Sequence, residues 1–157
     1  MLLIISVGLN FFPTKIFATD QLVKLPNSST IFYIDTNGLR HTFSNLITYT
    51  SWFGNDFSAV RTVSEEFLYD FPLSTNITLR PGKYLVKVPT APEVYAVEPG
   101  GTLRHLVDEE VAKKLYGEEW YNKVVDLSEV FFENYVIGEP IKYEYQAVSY
   151  THLRAHE

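Results

Sequence analysis

The chain carries one pattern twice, and that constrains its fold more than any single motif. Leu22-Val23-Lys24-Leu25-Pro26 returns 63 positions later as Leu85-Val86-Lys87-Val88-Pro89. Ile31-Phe32-Tyr33-Ile34 returns as Val94-Tyr95-Ala96-Val97 at the same spacing. Leu39-Arg40-His41 matches Leu103-Arg104-His105 at 64, and Trp52-Phe53-Gly54 to Phe57 matches Leu115-Tyr116-Gly117 to Trp120 at 63. Val60, Val63, Ser64, Glu65 and Phe67 match Val124, Leu127, Ser128, Glu129 and Phe131 at 64. A self-match at fixed spacing marks a repeat architecture, so two tandem units are expected.

Each unit predicts the same short elements. A strand over 22–25 ends at Pro26, which cannot donate to a sheet ladder. A second strand over 30–35 runs into Asn37-Gly38, a strong hairpin signal because both residues tolerate positive φ. The equivalent turn, Glu98-Pro99-Gly100-Gly101, reads as one residue longer. A third strand follows over 39–43, with Leu39, His41 and Phe43 on one face and Arg40 on the other. A helix comes next, capped by Ser44 and stopped by Gly54 in the first unit, capped by Asp108 and stopped by Gly117 in the second. A β-like run, 60–63 or 124–127, leads into a Ser-started short helix. The expected fold class is α+β: two units of about 60 residues, each a small antiparallel sheet with two short helices. A lone unit of that size buries only about 60% of its unfolded surface, so packing of one unit on the other is expected.

The ends read differently from the middle. Residues 2–12 form an apolar run of h-region length, Pro13 breaks it, and Ile16-Phe17-Ala18 has the form of a cleavage site. A leader over 1–18 is expected, although no basic residue precedes the run. The run is shorter than the roughly 20 residues a bilayer span takes, so no membrane span is expected after cleavage. At the other end, residues 147–157 resemble the peptide encoded by sequencing-adapter DNA. The expected division is 1–18 leader, 19–82 first unit, 83–146 second unit and 147–157 tail. The i, i+4 pair His152 and His156 falls in that tail and is not read as a metal site.

Charge and composition exclude several functions. Lys and Arg total 13 against 19 Asp and Glu, which argues against a phosphate-binding nucleic-acid partner. Zero Cys removes disulfides, thiolate metal sites and cysteine nucleophiles. Twenty-four aromatic residues, 11 Tyr, 11 Phe and 2 Trp, leave burial to stabilise the chain.

The series Val94-Tyr95-x-Val97, Gly101-x-Leu103-Arg104, Gly117-x-x-Trp120, Val124-Val125, Ser128 and Gly138 resembles a tandem repeat of exported bacterial cell-wall and surface-layer-like proteins. The resemblance covers about 22–141. It implies a surface location and brings no catalytic residue with it. The first unit departs from it at Phe57, which stands where the repeat has Trp.

No phosphate loop, dinucleotide fingerprint, nucleophile elbow or zinc-protease helix is present. Asp35-Thr36-Asn37-Gly38 resembles the start of a calcium loop but lacks its later ligands, so a turn is expected and no metal or other cofactor. The carboxylates Asp56, Glu65, Asp108, Glu110, Glu118 and Glu119 are explained by helix starts and solvated turns rather than an acid pair. The candidate ligand-binding residues are Arg40, His41, Arg104, His105, Trp52 and Trp120. Neutral His beside Arg suits an anionic or sugar group, and exposed rings suit sugar faces. Core packing is the competing role of the aromatics.

The expected function is a non-catalytic module of an exported bacterial surface protein, a spacer or an element binding cell wall, glycan or protein. A fragment of a secreted cell-wall hydrolase is the alternative, and a periplasmic small-ligand binder with a cleft between units is a third reading.

Overall fold

The computed structural model describes residues 20–142. The leader and tail expectations therefore lie outside the described residues.

Among the described residues, two mixed sheets and four α-helices form an α+β fold. The first sheet holds β1 (Gln21–Lys24), β2 (Ile31–Ile34), β3 (Arg40–Thr42) and β4 (Val60–Thr62) in the order β3-β2-β1-β4. Helix α1 (Leu46–Phe53) precedes β4, and α2 (Glu65–Tyr69) follows it. The second sheet holds β5 (Leu85–Lys87), β6 (Val94–Glu98), β7 (Thr102–His105), β8 (Val124–Asp126) and β9 (Val136–Ile137) in the order β8-β5-β6-β7-β9. Helix α3 (Glu109–Tyr116) precedes β8, and α4 (Glu129–Phe132) follows it.

The sheets are mixed rather than antiparallel throughout. β1 pairs antiparallel with β2 but parallel with β4, and β5 does the same with β6 and β8. The cause is the helix between: a crossover through α1 or α3 returns the chain in the direction of the first strand. A further parallel contact runs from β7 to β9, and the first sheet carries its counterpart as single bridges, Arg40 to Leu73 and Phe43 to Ile77.

The ladders correct the alignment of the third strands. Phe32 pairs with Thr42, and Tyr95, 63 positions after Phe32, pairs with His105. Arg40 is thus equivalent to Leu103, and His41 to Arg104. The Leu-Arg-His identity at spacing 64 is one residue out of register, and a one-residue slip reverses the face of every side chain. The two hairpin turns are in fact equal in length: Asp35 N–H donates to Leu39 O just as Glu98 pairs with Thr102. The added residue falls later, in the 3-10 turn Trp120–Lys123, since Leu22 pairs with Val60 but Leu85 with Val124.

The first turn is also not a two-residue hairpin. Gly38 alone takes positive φ, at 75°, and the Asp35 carboxylate accepts the N–H groups of Asn37 and Leu39. A three-residue loop closed by a left-handed glycine results.

The second sheet is covered on both faces, the first on its α2 side. Val23 and Ile34 pack on Leu68 and Phe71 at the α2 side. Val86, Val97 and Leu103 pack on Leu127, Phe131 and Phe132 at the α4 side, joined by Leu79 from before β5. On the opposite face Leu85, Ala96 and Leu106 meet Val111 and Ala112 of α3.

The cap of α1 is Asn45, not Ser44. Its Oδ1 accepts the N–H of Thr48 at 2.8 Å, while Asp108 does the same for Val111 in α3. Asn45→Ala is expected to lower stability by ~1 kcal/mol, read as a lower urea midpoint. An unchanged midpoint would show that the cap contributes nothing here.

Candidate functional site

The two helix-on-sheet layers are built from different side-chain sizes. Tyr49 of α1 stands where α3 has Ala112, and Tyr33 of β2 stands where β6 has Ala96. Helix-to-sheet packing distance follows the side chains at the contact, so an alanine pair admits a closer approach than a tyrosine pair. Tyr49 is buried, stacks on Phe57 at 4.8 Å, and donates its hydroxyl to Asp56 O at 2.6 Å.

The space left beside it is a groove of about 690 Å³. Leu22, Tyr33, Phe43, Trp52, Phe53, Ala59 and Ile77 supply its apolar lining. Asp20, Gln21 and Arg61 supply the polar rim. Tyr33 is pushed up to about 12 by burial first and then by its hydrogen bond to Asp20 and the nearby carboxylate charge. The phenol is therefore neutral at ordinary pH and donates to the rim.

Of Arg40, His41, Arg104, His105, Trp52 and Trp120, Trp52 lines this groove. Its ring is 41% exposed, and its Nε1 donates to Thr78 O at 2.8 Å, which fixes the ring's orientation. The other candidates are dispersed. Arg40 lies on the α2 side, its guanidinium 4.8 Å from the Tyr69 ring centre and 5.9 Å from that of Phe32, with Nη1 donating to Leu68 O. His41 lies on the α1 side, with Nδ1 2.8 Å from Thr75 O and Nε2 3.5 Å from the Asp35 carboxylate. Arg104 holds Glu98 at 3.2 Å and donates from Nε to Glu139 O at 2.7 Å. His105 sits on the opposite face from Arg104, its ring 5.7 Å from Tyr95. Trp120 packs against the α3 core, and its Nε1 is buried without a hydrogen-bond partner among the described residues.

Sequence reading missed Leu22, Phe43, Phe53, Ile77 and the polar rim as site residues. The available signal was the exchange of Ala for Tyr at two facing positions. Among the described residues, no group of three or more His, Asp or Glu is placed to hold a metal ion. Among the same residues, no helix is long and apolar enough to cross a membrane.

No protein-family model and no curated protein matches the chain. It is similar to a chain in a solved structure of the periplasmic assembly from the ESX-5 inner membrane complex, at 12% identity and a TM-score of 0.32. That match covers 84% of this chain and 37% of the other, so the chain spans little over a third of that neighbour.

Proposed function

We propose that the chain is a non-catalytic binding module of an exported bacterial surface protein, made of two copies of one α+β unit. Its ligand is a cell-wall glycan, held in the groove beside α1. The observation that carries this reading is the lining: Trp52, Phe53, Phe43 and Tyr33 converge on one open space with Asp20, Gln21 and Arg61 at its rim. Aromatic faces pack on the apolar C–H faces of sugars, and rim groups satisfy their hydroxyls. Glycoside hydrolysis generally needs two carboxyl groups across the scissile bond. Asp20 is the lone carboxylate of the lining among the described residues.

The test is co-sedimentation with purified peptidoglycan. Trp52→Ala is expected to weaken binding about tenfold, the effect of losing one stacked ring. Arg104→Ala, in the other half, is expected to leave it unchanged. Equal sedimentation of wild type and Trp52→Ala would remove the groove from the reading. Clearing of the wall by the protein alone would replace it with the hydrolase.

A further inference from the structure

Helices α1 and α3 hold equivalent places and turn opposite kinds of surface outward. Each runs eight residues, from the Asn45 or Asp108 cap to Gly54 or Gly117. On a helix, positions i, i+4 and i+7 form one row, with i+1 beside it. In α3 these are Glu109, Lys113 and Tyr116, with Glu110 beside them, and Lys113 holds Glu109 at 3.0 Å. In α1 the same positions are Leu46, Thr50 and Phe53, with Ile47 beside them. Leu46 is 62% exposed, Ile47 39% and Phe53 38%. Phe57, 44% exposed, extends this surface, since Tyr49 touches both its ring and that of Phe53. The second half shows that the fold accepts a charged, solvated face here, so the fold itself does not call for the apolar one.

We propose that this face of α1 is a self-association surface, on which two copies of the chain pack α1 against α1 about a two-fold axis. Charge selects the second copy. Lys and Arg total 13 against 19 Asp and Glu, so two copies repel wherever their charged surfaces meet. Residues 42–55 contain no Asp, Glu, Lys, Arg or His. Such a surface is one that a net-negative chain can present to itself without like-charge contact. A partner recognised through charge, or an anionic membrane, finds nothing to pair with there. Antiparallel packing of the Leu46, Thr50, Phe53 row sets Leu46 of each copy on Phe53 of the other. The small Thr50 side chains then meet at the axis and let the helices approach.

The area suits a weak dimer. With about 150–250 Å² for a whole aromatic side chain, the exposed parts of Phe53 and Phe57 offer roughly 160 Å², and Leu46 with Ile47 a similar amount. That is a little under half of the ~800 Å² per partner of a standard interface, with the polar margin of the helix still to add. An interface at this low end holds with a Kd of roughly 10–100 µM. Association also stops at two. The α3 face would set Glu109 and Glu110 against their own copies, and α1 laid on α3 would strip water from charges it cannot pair. The pair therefore uses up its own self-complementary face, and no filament follows.

This surface is independent of the glycan reading, since Leu46, Ile47 and Thr50 lie outside the groove lining. Sedimentation equilibrium of the full chain tests it. The mass is expected to rise from monomer at about 1 µM to mostly dimer at about 300 µM, with no larger species. Leu46→Glu with Ile47→Glu copies Glu109 and Glu110 onto α1 and is expected to weaken association at least ~30-fold. Acidic residues suit a first helical turn, so the variant should keep its fold, which its circular dichroism and urea midpoint check. Thr50→Lys, which copies Lys113 and places two like charges at the axis, carries the same expectation should the double variant fail to fold. Raising salt from about 0.05 to 0.5 M screens the repulsion between copies and should tighten the dimer severalfold. A monomer at about 300 µM, association that survives these substitutions, or a dimer that salt loosens overturns the proposal.

Discussion

Tyr49→Ala is expected to destabilise the protein by ~3–5 kcal/mol, although it installs the residue that the second half uses at the same place. Ala112 works in α3 because Ala96 lies opposite and Val111 beside it, all buried in one cluster. Tyr49 works in α1 because rings surround it: Phe57 stacked at 4.8 Å, Phe43 edge-on at 5.3 Å and Phe53 tilted at 5.2 Å. Removing the central ring leaves these three without their common partner and joins the vacated space to the groove. Tyr49→Phe keeps the stacking and loses the bond to Asp56 O, so about 1 kcal/mol is expected. Urea unfolding of both variants measures the difference. A Tyr49→Ala protein within 1 kcal/mol of wild type would mean that α1 settles onto its sheet as α3 does.

The second large effect is expected at Gly101. Its φ is 73°, and a Cβ there would lie 2.9 Å from Thr78 Cγ2. Gly101→Ala thus combines a left-handed strain of about 1–2 kcal/mol with an overlap of about 1–3 kcal/mol. Gly100 has nearly the same φ, 74°, and nothing within 4 Å of a built Cβ. Gly100→Ala should show the backbone part alone. Thr78→Ser in the Gly101→Ala background removes the offending methyl and should restore most of the difference between them. If Gly100→Ala and Gly101→Ala melt together, Thr78 moves aside freely and the halves are not in firm contact there.

Local chemistry made much of the fold legible. Pro26 and Pro89 follow short strands, Ser64 caps α2 through Phe67 N–H, and Asp108 and Gly117 bound α3. β9 was not legible, because Val136 and Ile137 are two exposed residues without a periodic pattern. The register of β3 was misread for a different reason. Three identical residues, Leu-Arg-His, outweighed burial, yet Leu103 is fully buried while Arg40 occupies its equivalent place beneath Tyr69. Side-chain identity is a poorer guide to a strand's register than which face must be apolar. The groove was illegible because it is a difference of volumes. Its lining comes from residues spread between 20 and 77, and no single residue announces it.

The stretch between the sheets has obligations in both directions. Thr78 holds the Trp52 indole, Arg80 N–H donates to Ser51 Oγ, and Asn76 joins Thr42 to Asn134. Leu79 is meanwhile buried in the second core, with its N–H on the Tyr135 hydroxyl. Neither half owns this strip of chain. Likeness of plan does not make such halves autonomous: any cut that frees one leaves a hole in the other, so the pair is expected to melt as a single indivisible body.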